Sequence, residues 1–248
     1  MGTTIDQTKQ AASLGKSAKQ AETKKPAKNL YEPYSTPRIG WEFVRFSVYI
    51  ISLLTMRVRL RGRYNLPRKG PYIIAANHLS WLDIPLIPTF VPGKVIYMAK
   101  EESFHSKVGW LVRFLGAFPV KRGEHDRQAL RAADEQLKRQ KVFIIFPEGT
   151  RSKSHTMIKG HAGVGMIALR AGVPIVPVAI WGSENGLKKF GAPVTISYGE
   201  PFVLKPKGTK ITREDIQEGT DEVMRRIAVM LPASYRGVYA EQAENLHS

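Results

Sequence analysis

The chain of 248 residues contains no cysteine. Disulfides, thiol nucleophiles and cysteine-ligated zinc are therefore excluded, and the composition fits a reducing compartment. No His-Glu-x-x-His motif occurs, and the spaced glycines of "GHAGVG" (160–165) are not followed by the Lys-Ser/Thr of a phosphate-binding loop. Close helix packing accounts for those glycines better. Acidic residues are scarce, 21 against 38 basic ones, for a formal charge of +17. The first hydrophobic segment also lacks a long apolar run. Its uncharged stretch, Phe46 to Met56, has eleven residues, whereas a membrane-spanning helix needs about twenty.

The excess of positive charge is uneven. Residues 1–70 carry 14 basic and 4 acidic residues, and residues 71–248 carry 24 and 17. Residues 1–30 are rich in Lys, Gln, Ala, Thr and Ser and poor in large apolar residues, which predicts a mobile basic tail without the apolar core of a secretory signal. A helix is expected over 36–56, opening at Thr36-Pro37. Arg38, Glu42, Arg45, Tyr49, Ser52 and Thr55 form one polar stripe, and Phe43, Phe46, Ile50 and Leu54 belong to a wide apolar face. This pattern favours a helix lying in a membrane interface over one that spans or sits in a core. "RVRLRGR" follows as a strand with one cationic face, extended by Arg63, Arg68 and Lys69. Six cations without an acid beside an apolar helix suit anionic lipid better than nucleic acid.

Residues 57–248 are expected to form a single α/β domain with a largely parallel or mixed central sheet flanked by helices. Strand-like runs ("PYIIAA", "KVIYMA", "VFIIF", "PIVPVAI", "PVTISY") alternate there with helical stretches at 124–140 and 160–171. A late helix begins at Thr212 and Asp215, which stand in capping-box spacing. Trp110, Leu111, Phe114 and Leu115 recur at helical spacing and read as core, with the wall of an acyl channel as the alternative.

Two strand-like runs end in polar clusters, "NHLSWLD" (77–83) and "FPEGTRS" (146–152). Ligands gather beyond the carboxyl ends of strands in open α/β sheets, so these clusters could line one cleft. His78 and Asp83 are the makings of a general base, and as two ligands they fall short of a zinc site. On an ideal helix a five-residue spacing turns the second residue about 140° from the first. His78 should therefore sit before or at a helix start, with Asp83 folding back toward it. Arg151 can grip an anion by bidentate hydrogen bonds. Lys121 and Arg122, in "GAFPVKR", could add charge. His105, His125, His155, His161 and His247 stand in no comparable setting.

Taken in order, these stretches resemble the four blocks of the glycerolipid acyltransferase family, of the lysophosphatidic acid acyltransferase type. "NHLSWLD" matches the His-x4-Asp block through His78 and Asp83. "GAFPVKR" resembles the second through Gly116 and Arg122, though its proline replaces a branched apolar residue frequent in other members. "FPEGTRS" matches the third through Glu148, Gly149 and Arg151, and "VPIVPV" the fourth through Pro174 and Pro177. The likeness covers about residues 57 to 200 and leaves out the basic tail.

The resemblance implies O-acyl transfer from acyl-CoA or acyl carrier protein to the sn-2 hydroxyl of lysophosphatidic acid. His78 would be the base and Asp83 its orienting partner. Lys121, Arg122, Glu148, Gly149 and Arg151 would bind the acceptor and its phosphate, with Glu148 accepting from a glycerol hydroxyl or orienting Arg151. No metal or other cofactor is called for. The expected setting is an anionic membrane surface on the cytoplasmic face of the inner or cell membrane, without a nucleic-acid partner. Alternatives are another lysolipid acceptor, such as a lyso-ornithine lipid, or a non-catalytic basic protein that binds membrane or nucleic acid.

Overall fold

The computed structural model describes residues 37–105, 109–120 and 127–244. The expected tail at 1–30, together with Thr36, Lys121 and Arg122, lies outside the described residues. Helix α1 (Arg38–Thr55) leads directly into strand β1 (Met56–Arg61). Then come β2 (Tyr72–Ala76), α2 (Asp83–Thr89), β3 (Val95–Lys100), α3 (Glu101–Phe104), α4 (Gly109–Phe114) and β4 (Ala117–Val120). The second half comprises α5 (Arg127–Lys138), β5 (Val142–Ile145), α6 (Gly163–Ala171), β6 (Ile175–Trp181), β7 (Ala192–Tyr198), α7 (Arg213–Met230) and α8 (Ala240–Glu244).

Among the described residues seven strands form one mixed sheet in the order β1-β7-β6-β2-β5-β3-β4, in which only the β6–β7 pair is antiparallel. The expectation of a largely parallel or mixed sheet in a single α/β domain is met. Strand β2, "YIIAA", is buried at every position, as an unbroken apolar run should be when helices cover both faces of a parallel strand. Tyr72, Ile74 and Ala76 face the core under α1 and α2. Ile73 and Ala75 face the core under α5, α6 and α7. At the edge, β1 exposes Arg57, Arg59 and Arg61 while Val58 and Leu60 are half-buried. A row of charges on an edge strand discourages pairing with another chain.

Connections from the central strands leave to opposite faces. After β2 the chain crosses under α2 to β3, and after β5 it crosses under α6 to β6. Right-handed crossovers that move in opposite directions along a sheet must use opposite faces. A crevice therefore opens beyond the carboxyl ends of β2 and β5. Helix α6 packs tightly on α7: a Cβ on Gly165 would lie 2.3 Å from the Ile216 carbonyl oxygen. This is the close approach expected of "GHAGVG". Helix α7 begins with the expected capping box, in which Asp215 N–H donates to Thr212 Oγ1 (3.1 Å) and Thr212 N–H to Asp215 Oδ2 (2.8 Å).

One local expectation is corrected. Trp110 is 66% exposed, although Leu115 on the same segment is buried. The six residues of α4 are too few to turn a whole stripe inward. On α1 the polar stripe is divided between the two sides of the helix. Trp41 and Ser52 are buried and Val44 and Val48 half-buried toward the domain, while Ile39, Phe43, Phe46, Leu53 and Leu54 stand exposed. The helix docks through one large ring and small side chains, and its bulkier apolar residues point away. Among the described residues no helix is long and apolar enough to cross a membrane.

Candidate active site

The site grows from the end of β2. Asn77 is fully buried and pairs with β6 as a backbone would: its Nδ2 donates to the Ile180 carbonyl and its Oδ1 accepts from the Ile180 N–H, both at 2.8 Å. The chain direction is thus set just before His78. Asp83 opens α2, so His78 precedes the helix and the carboxylate folds back, as the spacing required. Asp83 Oδ2 accepts from His78 Nδ1 (2.8 Å) and from the N–H groups of Leu79 and Ser80 (2.7 Å each). Its Oδ1 accepts from the Ser183 hydroxyl at 2.6 Å. Four donors compensate the complete burial of this carboxylate, which would otherwise be strongly unfavourable. Against an ionised carboxylate Nδ1 must be the protonated ring nitrogen, which leaves Nε2 with a lone pair.

The imidazole stacks on Phe146, the residue after β5, with centroids 4.2 Å apart and planes 23° from parallel. The Ser152 N–H donates to the His78 carbonyl (2.9 Å), so the 77–83 and 146–152 segments are joined directly. Gly149 turns the second segment with a left-handed φ of +62°, and a Cβ there would lie 3.1 Å from the His161 ring. A side chain would thus be opposed by both strain and space. Arg151 is exposed, with its guanidinium carbon 4.1 Å from the centroid of the Trp81 ring, a cation–π contact.

Glu148 is different. Its side chain is fully buried, and neither carboxylate oxygen has a hydrogen-bond partner among the described residues. Burial pushes its pKa up to about 8; the backbone N–H of His78, which faces the carboxylate without completing a hydrogen bond, opposes this and the charge of Asp83 reinforces it. Burial thus favours its neutral form.

His78, Gly149 and Arg151 border an open cleft of about 490 Å³, with Asp83 and Glu148 behind its wall. His78, Glu102, Arg151 and His161 are among its polar lining, and Tyr97, Ile145 and Val164 among its apolar lining. Of the residues singled out from sequence, His78, Asp83, Glu148, Gly149 and Arg151 are brought together here. Ser183, Asn77 and His161 were not anticipated. Ser183 lies 100 positions from Asp83, and no local pattern links the two. No cluster of three His, Asp or Glu residues suited to a metal ion occurs among the described residues.

A buried His–Asp pair beside a cleft in an α/β fold has the makings of proton-transfer chemistry, and comparison with known proteins specifies the class. The family model described as Acyltransferase matches residues 57–181, half of the chain, and the protein belongs to that family. It is 27% identical over 190 residues to the 1-acyl-sn-glycerol-3-phosphate acyltransferase of Bacillus subtilis, covering 75% of this chain and 94% of the relative. It is 33% identical over 145 residues to the lyso-ornithine lipid O-acyltransferase of Pseudomonas aeruginosa, covering 58% and 55%. The crystal structure of the 1-acyl-sn-glycerophosphate (LPA) acyltransferase of Thermotoga maritima superposes with a TM-score of 0.59 at 31% identity, covering 77% of this chain and 79% of that one.

Proposed function

We propose that the protein transfers a fatty acyl group from a thioester, acyl-CoA or acyl carrier protein, to the sn-2 hydroxyl of lysophosphatidic acid at a membrane surface, giving phosphatidic acid. The observation that carries this reading is the His78–Asp83 pair at the border of a cleft that also bears Arg151. His78 Nε2 takes the proton of the acceptor hydroxyl as its oxygen attacks the thioester carbonyl. The tetrahedral intermediate collapses, the carbon–sulfur bond breaks, and the imidazolium returns its proton to the departing thiolate. Asp83 holds the tautomer and stabilises the imidazolium. The acceptor hydroxyl is itself the nucleophile, so no acyl-enzyme forms.

Arg151, spread on the Trp81 ring, presents its donors to the acceptor phosphate, with Lys121 and Arg122 as further cations. Burial of Glu148 argues against its contact with a glycerol hydroxyl. The apolar cleft wall suits an acyl chain, and the exposed apolar face of α1 suits the bilayer where both lipids reside.

A second acceptor is favoured by one observation, the 33% identity to a lyso-ornithine lipid acyltransferase. A guanidinium fork accepts a carboxylate as readily as a phosphate. Thiol release from acyl-CoA, read with a thiol-reactive chromogen, separates the two when run against a panel of lysolipids. The protein has no thiol of its own, so the signal belongs to the product. Fastest turnover with lysophosphatidic acid is expected. Turnover with only the amino-acid lipid would select the second acceptor, and none with any lysolipid would remove the acyl-transfer reading.

A further inference from the structure

The connection between β6 and β7 links the catalytic pair to the end of α1. At its start Ser183 is buried and donates to Asp83 (2.6 Å). In its middle Gly186 sits so close to Leu82 and Met56 that a Cβ would lie 2.8 Å from Leu82 Cδ1 and 3.0 Å from Met56 Sδ. At its end the Gly191 N–H donates to the Thr55 carbonyl (2.8 Å), and Arg57 Nε donates to the Gly191 carbonyl (2.9 Å). Both ends and the middle are tied down, yet the tip carries two large apolar side chains in the open. Leu187 is 66% exposed and Phe190 85%, and they flank exposed Lys188 and Lys189. The tip adjoins the last turn of α1, where Leu54 is 66% exposed.

Charge identifies the occupant. Residues 186–191 include two lysines and no acid, and Arg57 and Arg59 are exposed on the neighbouring strand. The acid of the connection, Glu184, is half-buried and accepts from the Tyr235 hydroxyl (2.8 Å). Apolar side chains interleaved with lysines, continuous with an unpartnered apolar helix face, match the boundary between acyl chains and anionic headgroups. Resting on the reading of an enzyme that works at a membrane surface, we infer that the Leu187–Phe190 tip is a second lipid-contacting element. It inserts into an anionic bilayer beside the end of α1. The tip broadens the contact made by the end of α1. The same connection carries Ser183, so this contact is tied to the catalytic pair.

The test uses the full chain, whose lack of cysteine makes a single introduced thiol unique. Phe190→Cys carrying a polarity-sensitive fluorophore is mixed with phosphatidylcholine vesicles, with and without phosphatidylglycerol. A control label is placed at Val238→Cys, an exposed site next to Tyr239, which packs in the core on the other side of the sheet from α1. With anionic vesicles the label at 190 should shift to the blue and brighten several-fold, while the control stays aqueous. A label at 190 that remains as aqueous as the control overturns the inference and leaves the tip to a protein partner or to solvent. Leu187→Ser with Phe190→Ser should lower turnover of vesicle-presented acceptor several-fold and leave turnover of a short-chain, water-soluble lysolipid unchanged. Equal loss on both acceptors would mean that the tip acts through the site and not the bilayer. Failure of the acyl-transfer reading would appear instead as no thiol release from the unmodified protein, whatever the fluorophore reports.

Discussion

The Ser183 hydroxyl donates to Oδ1 of Asp83 at 2.6 Å, while Oδ2 of the same carboxylate accepts from His78 and two backbone N–H groups. Ser183 therefore holds the carboxylate from the side opposite the imidazole. Hydrogen bonds to charged groups are worth about 1.5–3 kcal/mol, roughly a factor of 10–100 if felt fully in the transition state. Ser183→Ala should lower kcat by about tenfold with little change in either KM, and Ser183→Thr should restore most of it. Rescue by threonine is the readout that a merely structural serine would not give. An alanine variant with lower stability but unchanged kcat would make Ser183 merely structural.

His78→Ala removes the proposed base. A fall in kcat of at least ~10²-fold is expected, the lower range for loss of general-base catalysis. Asp83→Asn keeps the shape, removes the charge and should also damage kcat more than acceptor KM. Circular dichroism must show both variants folded. Near-normal turnover by a folded His78→Ala protein would refute the mechanism.

Arg151 rests on Trp81 at the cleft. Arg151→Ala should raise the acceptor KM more than the donor KM and shrink the preference for lysophosphatidic acid over its dephosphorylated analogue. Trp81→Leu, which withdraws the ring that orients the guanidinium, should do the same more weakly. Equal losses on both acceptors would assign Arg151 to the fold.

The buried Glu148 carboxyl has its pKa pushed up to about 8 from an ordinary 4.5. The folded state holds this proton more tightly than the unfolded chain does. Between about pH 4.5 and pH 8 the unfolded chain gives it up first, so this group makes stability fall as pH rises through that window. Glu148→Gln mimics the protonated form at every pH. The Tm difference, variant minus parent, should therefore grow in the variant's favour from pH 5 to pH 9. A difference that is flat with pH would place an unseen donor on the carboxylate.

Phe46 is 62% exposed on α1, with Ile50 one turn later also exposed. Replacing both by Asp should release the protein from anionic vesicles in a sedimentation assay and lower activity on membrane-presented acceptor. High salt alone should weaken binding without abolishing it, because screening leaves apolar contact in place. Undiminished sedimentation of the double variant would move the membrane contact elsewhere.

How much of this was legible in the chain depends on the range of the interaction. The strand at 72–76, the capping box at Thr212 and Asp215, and the fold-back of Asp83 onto His78 follow from rules that act within a few residues: apolar runs, side-chain reach and helical pitch. The order of the blocks likewise pointed to two strand ends bordering one cleft. Three outcomes needed the tertiary structure. Ser183 meets Asp83 across 100 positions because β6 lies beside β2 in the sheet, and strand order is not written in any local pattern. Glu148 reads in sequence as an acceptor-site acid or an orienter of Arg151, and only the packing around it buries the carboxyl and raises its pKa. The polar stripe of α1 was visible as periodicity. Which face met the domain was decided by the fit of Trp41, Val44, Val48 and Ser52, because periodicity gives a direction around a helix and only a packed neighbour says which direction is inside.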